Sequence, residues 1–309
     1  MKFTLKQLRY FDAALRFGSI AKAANEMNIS QSSVTAAIDL IEQSVDADLF
    51  RRVPAKGIVA TDTGKQVGKR VARFLEQARV FEADLLSIAG DPAGILRLGC
   101  YQPSAPYVLP LLLSRLSEEY PGIRIDLVEG DIDKMNELLM SGSVDLALTY
   151  GGDPESNTSF DLLFQAHPWA LLPVNSPLAQ RPEVSLRDLA ELPMVMLELA
   201  TTRTYFFSLF EKLGLQPNVA HSTKSSSVLR GLVANEFGYS ILNICGPHDR
   251  DGRNGYCAVP ITDAYEAPSF GVSYIGALEG AAVVQAVRKI ASELVAEDAF
   301  NHLLLVSDE

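Results

Sequence analysis

Cysteine, histidine and long apolar runs are scarce in this sequence. Its three cysteines, Cys100, Cys245 and Cys257, stand in no CxxC or Cys/His spacing, and its four histidines and one tryptophan form no catalytic or metal-ligand pattern. These absences argue against a disulfide framework, a structural zinc site and a cofactor. The beginning of the chain lacks the apolar core of a secretory signal, and no segment approaches the roughly 18 apolar residues of a membrane span. We therefore expect a cytoplasmic protein without a membrane partner.

Positive charge is concentrated in residues 1–90. They carry 13 Lys and Arg against 10 Asp and Glu, whereas the rest of the 309-residue chain carries 14 against 28. A phosphate backbone would be repelled by the acidic part and tolerated by the first part. Since the length suits about two domains, we expect two parts with different partners, the first of which handles nucleic acid.

Two short amphipathic patterns lie close together in SIAKAANEMNISQSSVTAAIDLIEQ, residues 19–43. Their apolar residues recur at helical spacing: Ile20, Ala23, Ala24 and Met27 in the first, and Val34, Ile38, Ile41 and Val45 in the second. Ser19 and Ser30 are favourable N-cap residues, and Asn28 tolerates the left-handed backbone that a tight break between helices needs. With a third helix from the preceding LKQLRYFDAALRFG, these patterns predict a helix-turn-helix unit.

The second of these helices starts with short polar side chains on its outer face. They are Gln31, Ser32, Ser33 and Thr35. Such side chains can donate hydrogen bonds to phosphates and base edges near a helix N-terminus, although they could equally cap and solvate the helix. Residues 48–61, DLFRRVPAKGIVAT, predict a two-stranded wing, in which we expect Arg52 and Lys56 to contact the phosphate backbone.

A heptad pattern follows the wing. Its apolar positions step alternately by four and three residues: Val67, Val71, Phe74, Ala78, Phe81, Leu85 and Ile88. Such a seam packs against a partner helix, and a second copy of the chain is the economical partner. The alternative is a helix that packs on its own domain. The Gly- and Pro-rich AGDPAG, residues 89–94, then marks a boundary.

Strand-like and helix-like patterns alternate after this boundary. ILRLGCY, IRIDLVE and VDLALTY alternate with helical segments at about 105–119 and 132–141. A second series follows, up to the last strand, SFGVSYI, and a closing helix at about 280–298. This alternation predicts α/β layering with parallel strands.

The motifs of the first part resemble those of the LysR-type transcriptional regulators of bacteria. They are an Ala-Ala pair, a polar turn and a Gln-Ser helix start in AKAANEMNISQSSVTAAIDLIEQ, the wing DLFRR and the linker start ATDTGKQV. Ala37 stands where that family often has a polar recognition residue. The resemblance implies an N-terminal all-α winged helix-turn-helix (1–61), a long linker helix for dimerisation (62–90) and a C-terminal α/β effector-binding domain (91–309).

The resemblance further implies that the effector-binding domain has two lobes, like periplasmic solute-binding folds, with a cleft between them. Lobe I would span about 91–167 and 270–309, and lobe II about 168–269. Family effector contacts map onto helix starts and strand ends that here carry Gln102, Pro103, Ser104, Asp131, Thr149, Tyr150, Thr201, Thr202 and Arg203.

Some of these effector-contact residues have simpler alternative roles. Ser104 and Thr201 could cap their helices, and Arg203 could pair with Glu198. An arginine and a free helix N-terminus suit an anionic ligand group. Asp131 favours a ligand that also carries a hydrogen-bond donor, such as an amino acid or a hydroxylated acid.

The chain thus carries a helix-turn-helix, a wing, a linker helix and an effector-binding domain, in that order. Together with the resemblance, this order predicts an effector-responsive transcriptional regulator and not an enzyme. It would bind a partly dyad-symmetric promoter site on double-stranded DNA as a homodimer or homotetramer, and sense a small anionic metabolite. A contact with RNA polymerase is left open. One alternative is a redox sensor that uses Cys100, and another is a solute-binding protein, which would need a secretory signal. An enzyme with Cys100 as nucleophile would need a base, and no spacing suggests one.

Overall fold

The computed structural model describes residues 3–53, 57–87, 91–151, 158–264 and 267–305. Lys56 and Ile88, both named above, lie outside the described residues. The chain divides into two compact units, Met1–Leu85 and Leu86–Glu309, each with its own core. Within the described ranges, no helix combines the length and the apolar character that crossing a membrane requires.

The N-terminal unit consists of three short helices, a two-stranded ribbon and a long helix. Its elements are α1 (Leu5–Phe17), α2 (Ile20–Glu26), α3 (Gln31–Val45), β1 (Phe50–Val53), β2 (Gly57–Ala60) and α4 (Asp62–Ser87). The predicted N-caps are confirmed, because the side chains of Ser19 and Ser30 accept hydrogen bonds from the backbone N–H groups of Lys22 and Ser33. Asn28 adopts the predicted left-handed backbone, with a φ of 52°.

Apolar side chains from the three short helices and from β2 meet in one core. Its buried members include Leu8, Phe11, Ala23, Val34, Ile38, Ile41, Leu49 and Ile58. The helical spacing read from the sequence is therefore confirmed for most positions. Val45 is an exception at 42% exposed, because it is the last residue of α3 and lies past the turns that pack on the core.

Gly57 begins β2 in a conformation that side chains rarely adopt. Its φ is +82°, and a Cβ atom there would stand 2.6 Å from the carbonyl oxygen of Gly18. We expect Gly57→Ala to weaken the ribbon by about 1–3 kcal/mol, measured as faster amide hydrogen exchange in β1 and β2 of the full-length chain. Gly214 is the matched control, since its φ is +69° and a Cβ would meet open space. An equal loss of local protection for Gly57→Ala and Gly214→Ala would contradict a cost from the Gly18 contact.

The second unit is built on two sets of strands that the chain visits in turn. The first set comes with β3 (Gly94–Tyr101), α5 (Ala105–Glu119), β4 (Ile123–Gly130), α6 (Ile132–Ser141), β5 (Leu146–Gly151) and β6 (Thr158–Gln165). The second comes with β7 (Trp169–Pro173), α7 (Leu186–Leu189), β8 (Pro193–Leu197), α8 (Ala200–Glu211), β9 (Asn218–Thr223), α9 (Ser226–Ala234), β10 (Ser240–Leu242) and β11 (Tyr256–Pro260). The chain then returns to the first set with β12 (Ser269–Ile275) and α10 (Ala282–Ala296). We call the part with β3–β6, β12 and α10 lobe I, and the part with β7–β11 lobe II.

Strand direction in these sheets differs in part from the prediction. Lobe I has the strand order β4-β3-β5-β12-β6, in which β3 is parallel to β4 and β5 as predicted, but β12 is antiparallel to β5 and β6. In lobe II, β8 and β9 are parallel, whereas β7 is antiparallel to β10 and β11. The prediction of α/β layering with parallel strands is therefore confirmed for β3, β4, β5, β8 and β9, but it was wrong for the pairs that involve β7 and β12. The strands on either side of each crossing between the lobes run antiparallel to their neighbours, which local sequence patterns do not reveal.

Parallel strands bring several helix starts to one edge of lobe I. β3, β4 and β5 end at this edge, and α5 and α6 begin directly after β3 and β4. In open α/β sheets, ligands bind outside the carboxyl ends of strands. This edge therefore positions the side chains that lie between the two lobes.

Candidate functional site

The N-terminal turn of α3 presents short polar side chains to solvent. Gln31, Ser32 and Ser33 are exposed, and Thr35 is half-buried. The hydroxyl of Ser30 lies 2.8 and 2.9 Å from those of Ser32 and Ser33, and Thr35 donates to the carbonyl of Gln31 at 3.0 Å. The Gln31 amide has no hydrogen-bond partner in the described part of the chain. Of the four predicted DNA-contact residues on α3, Gln31 is the one whose side chain is free to reach a base edge.

The same face of α3 continues with residues that sequence reasoning missed. Ala36 and Asp39 are exposed, and Asp39 stands two helical turns beyond Gln31 on the same side. Ala37, the departure noted from the family pattern, is only 1% exposed and packs inward. Asp39 could have been predicted from the sequence, because positions 31, 35 and 39 follow the i, i+4, i+8 spacing of one helix face. A carboxylate here repels phosphates but can accept a hydrogen bond from the amino group of cytosine.

The ribbon of β1 and β2 forms the predicted wing. Its strands pair antiparallel, with Arg51 opposite Val59 and Arg52 opposite Ile58. Both arginines are exposed, and neither has an ion-pair partner within the described ranges. Arg51 and Arg52 can therefore face a phosphate backbone without first breaking a salt bridge.

The heptad pattern of α4 is divided between two environments. Val67 and Val71 pack into the core of the N-terminal unit itself. Phe74, Phe81 and Leu85 are instead 40%, 61% and 50% exposed. The first part of the seam thus follows the alternative of packing on its own domain, and these three later residues form an exposed apolar stripe, which is the kind of surface that a partner helix covers.

A cavity with about 650 Å³ of empty space, its open mouth included, lies between lobes I and II. Both lobes contribute to its lining, which consists of Tyr101, Pro103, Ser104, Ile132, Tyr150, Leu197, Thr201, Thr202, Tyr205, Phe206, Arg230, Leu242, Asn243, Ile244 and Pro268. Most of these side chains are apolar or aromatic, so the cavity suits a compact organic molecule.

Two hydrogen bonds that involve residues of this lining join the lobes. The hydroxyls of Tyr101 in lobe I and Thr202 in lobe II lie 2.8 Å apart, and Thr201 donates to a carboxylate oxygen of Asp133 at 2.8 Å. Burial raises the pKa of Tyr101 to about 12, so its hydroxyl stays protonated at neutral pH. A ligand in the cavity would therefore touch the same hydroxyl groups whose hydrogen bonds hold the two lobes together.

Among the described residues that line the cavity, Arg230 is the one with a cationic side chain, and the carboxylate of Asp249 already neutralises its charge. Its guanidinium donates to both carboxylate oxygens of Asp249, at 2.8 and 2.9 Å. The two side chains are 12% and 2% exposed, and Asp249 also accepts a hydrogen bond from the backbone N–H of Gly246 at 2.8 Å. The pair holds the 246–249 loop against α9.

Five of the nine predicted effector residues lie in the lining of this cavity: Pro103, Ser104, Tyr150, Thr201 and Thr202. The hydroxyl of Ser104 is fully buried and donates to the carbonyl of Tyr101 at 2.8 Å. It makes no capping bond to α5. Its side chain is thus engaged with its own strand end.

The other four predicted effector residues, Gln102, Asp131, Thr149 and Arg203, lie outside the lining. Asp131 caps α6 by accepting from the backbone N–H of Lys134 at 2.8 Å. Arg203 stands 3.3 Å from Glu198 and lies over the ring of Phe207, which is the alternative role considered for it above. Its helix turns it away from the cavity that Thr202 faces.

The cavity also contains residues that sequence reasoning did not single out. Tyr101, Tyr205, Arg230 and Asn243 are among them. No local pattern marks these positions, because they come from four separate elements that meet only in the folded domain. A distant pairing such as Tyr101 with Thr202 leaves no trace in sequence spacing.

Cys100 and Cys245 are fully buried free thiols. Burial raises the pKa of Cys100 to about 12 and that of Cys245 to about 11. A redox sensor or cysteine nucleophile works through an accessible thiolate, and burial disfavours that form here. These thiols therefore give no support to the redox alternative for Cys100.

Comparison with known proteins gives consistent matches for both units. Residues 5–65 match the family described as bacterial regulatory helix-turn-helix protein, lysR family, and residues 89–287 match the LysR substrate binding domain. The HTH-type transcriptional activator CmpR of Synechocystis sp. is 29% identical over 262 residues, which are 83% of this chain and 84% of that protein. These matches extend through both halves of the chain.

Solved structures agree with these matches. HinK, a LysR family transcriptional regulator from Pseudomonas aeruginosa, is 31% identical, with a TM-score of 0.60 and coverage of 94% of this chain and 99% of that chain. A full-length OxyR variant from Pseudomonas aeruginosa has a TM-score of 0.70 and covers 99% of both chains, but at 18% identity it is evidence for the fold alone. This chain therefore belongs to the LysR family of bacterial transcriptional regulators, with an N-terminal helix-turn-helix that binds DNA and a C-terminal domain that binds an effector.

Proposed function

We propose that this regulator binds a partly dyad-symmetric promoter site and that its binding to DNA changes when a small molecule fills the cavity between the lobes. One observation carries the proposal: both lobes line the cavity, and two hydrogen bonds that involve lining residues, one between Tyr101 and Thr202 and one from Thr201 to Asp133, join the lobes. An effector shifts an equilibrium only by its differential affinity for the two arrangements. A ligand that touches both lobes, and competes for these hydroxyls, has that differential affinity.

The proposed division of the chain assigns DNA reading to residues 1–61, dimerisation to 62–90 and effector sensing to 91–309. DNA contacts would come from Gln31, Ser32, Ser33, Thr35, Arg52 and Lys56. The effector would touch Pro103, Ser104, Tyr150, Thr201 and Thr202, which line the cavity. An anionic effector group held by Arg203 has no support from the lining.

LysR regulators bind DNA and form oligomers, and for this chain we propose a homodimer through the exposed stripe of Phe74, Phe81 and Leu85. A dimer with two-fold symmetry matches the symmetry of a dyad-symmetric DNA site. A homotetramer would engage two such sites, and activation of transcription would add a contact with RNA polymerase. Members of the family act as DNA-binding regulators, and the buried thiols offer no alternative catalytic group.

Gln31 and Arg52 should contribute to DNA binding in different ways. Gln31→Ala should cost about 1–3 kcal/mol on the preferred site and relax base preference there, because an amide can pair with a base edge. Arg52→Ala should weaken binding to all sequences alike and flatten the salt dependence, because it removes one phosphate contact. The measurement is a titration of the full-length chain with a site selected from random DNA and with unselected DNA, at several salt concentrations.

Arg181→Ala serves as the control for Arg52→Ala, since Arg181 is an exposed arginine of the effector-binding domain in an ion pair with Asp188. It should leave both affinities and the salt slope unchanged. Should Gln31→Ala and Arg52→Ala lower specific and unselected binding by the same factor, the assigned roles are wrong.

The whole proposal is tested by footprinting. Metabolites that raise the melting midpoint of the full-length chain identify ligands of the native state. Each is then added while the protein protects its selected DNA site. We expect at least one to change the extent or position of protection. A chain that protects no DNA, or whose footprint ignores every stabilising ligand, would refute the proposed function.

A further inference from the structure

The charges around the cavity disfavour a buried anion. Arg230 gives both ends of its guanidinium fork to Asp249, and Arg203 lies outside the lining beside Glu198. In the described lining, no cation is left over to neutralise a carboxylate or phosphate. Taking an ion out of water is costly unless a counter-charge receives it, and an anionic ligand would have to break the Arg230–Asp249 pair to obtain one.

The walls of the cavity offer aromatic surface to a ligand. The rings of Tyr101 and Tyr150 meet edge to face at 5.3 Å, and those of Tyr205 and Phe206 lie 5.2 Å apart. Tyr150 also meets Phe270 edge to face at 5.1 Å. Aromatic pairs favour the edge-to-face arrangement of the two Tyr150 contacts, so a planar apolar body can extend the cluster without displacing it.

Two polar atoms of the lining are free to recognise a ligand. The side-chain nitrogen of Asn243 donates to the carbonyl of Ala166 at 2.7 Å, which leaves the side-chain oxygen as an acceptor. Neither that oxygen nor the hydroxyl of Tyr150 has a hydrogen-bond partner among the described residues. Burial raises the pKa of Tyr150 well above its ordinary value, so the hydroxyl remains a neutral donor and acceptor. An acceptor oxygen repels a carboxylate and pairs with an N–H or O–H group.

We propose that the cavity takes an uncharged ligand with a planar apolar body and an N–H or O–H donor, which the side-chain oxygen of Asn243 and the hydroxyl of Tyr150 recognise. The inference rests on the proposed function, because it names the ligand class of the same cavity. It replaces the anionic metabolite expected from the sequence. It also makes Asn243 and Tyr150 specificity-determining residues. Arg230 stabilises the wall of the cavity through Asp249 and does not bind the ligand.

Three probes of nearly the same shape but different charge test this inference. They are 4-hydroxybenzamide, which is neutral, 4-hydroxybenzoate, an anion, and 4-hydroxybenzamidine, a cation, each titrated at pH 7 into the full-length chain and followed by saturation-transfer NMR. We expect the amide to bind at least about tenfold more tightly than either ion, a ratio that corresponds to about 1.4 kcal/mol. Tighter binding of either ion, or no binding of any probe, would overturn the proposal.

Variants locate the binding and identify the groups involved. Tyr150→Phe, which removes only the hydroxyl, should weaken the amide about three- to tenfold. Tyr120→Phe, the same change at a tyrosine outside the lining, should not. Ile132→Trp adds a large ring to the lining and should abolish binding, with an unchanged melting midpoint as the check on folding. Amide binding that survives Ile132→Trp or ignores Tyr150→Phe would refute the assignment to this cavity.

A further comparison separates this inference from the proposed function. If 4-hydroxybenzoate binds most tightly and Arg203→Ala abolishes its binding, the anion expected from the sequence replaces the uncharged ligand. A regulator that changes its footprint with an anion keeps the proposed function and loses this ligand class. A chain that protects no DNA loses the proposed function, whatever the ranking of the probes.

Discussion

Replacing Phe81 by Asp should convert the oligomer of this chain into monomers at micromolar concentration. Phe81 is 61% exposed in the single chain, on the same face of α4 as Phe74 and Leu85. Burying one phenylalanine side chain in the interface contributes about 1.5–3 kcal/mol to the free energy of dimerisation. Both subunits of a two-fold dimer bury this residue, so the contribution is made twice. A carboxylate placed there would be buried without a partner at further cost. Dimerisation should weaken by several kcal/mol, or roughly a thousandfold.

Sedimentation of the full-length chain measures this change directly. Arg73→Asp is the matched control, since it places the same carboxylate on an exposed position of α4 about a quarter of a turn from the stripe. It should leave the oligomer intact, as should Phe81→Leu, which keeps the apolar contact. An unchanged oligomer for Phe81→Asp would show that the stripe is not the dimer interface.

Asp249→Ala should lower the free energy of unfolding of the effector-binding domain by about 3–5 kcal/mol. The change removes both acceptors of the Arg230 guanidinium and the acceptor of the Gly246 N–H. An unpaired charge would then remain at a site where the arginine side chain is 12% exposed. Trp169, the single tryptophan, is fully buried in lobe II, so its fluorescence during urea unfolding of the full-length chain reports this loss.

Two further variants show whether the loss comes from the unpaired charge. Arg230→Met combined with Asp249→Ala should recover most of the stability, because no ion then remains buried. Glu297→Ala removes a carboxylate from the exposed pair with Arg115 and should cost far less, since exposed ion pairs are screened by water. If Asp249→Ala costs no more than Glu297→Ala, Arg230 is not held by a buried counter-charge. The inference of an uncharged ligand would then lose its basis.

The helices were predictable to a useful degree because their signals are local. Caps at Ser19 and Ser30 and the break at Asn28 each depend on neighbours within a few residues. The sequence did not reveal that the free side chain of that helix start is Gln31, because the neighbouring hydroxyls bond to one another. It also did not distinguish Ala37, which is buried, from the exposed Ala36.

The heptad pattern illustrates a limit of a different kind. Periodicity identified one apolar face of α4, but Val67 and Val71 belong to the core of their own unit, and Phe81 is left to solvent. A spacing of three and four residues specifies a face and not its partner. Which part of the seam is free depends on where the three-helix core ends.

The sequence by itself determined the helix-turn-helix with its wing, the alternation of strands and helices, and the side chains available at each strand end. Only the tertiary structure decided which of them share a cavity, because the decisive contacts join residues far apart in the chain. Tyr101 meets Thr202 across 101 positions, and Arg230 meets Asp249 across 19. Arg203 has the right chemistry and a suitable position in sequence, yet its helix turns it toward Glu198. Burial and ion pairing are properties of the folded neighbourhood, and they decide which charge is free to meet a ligand.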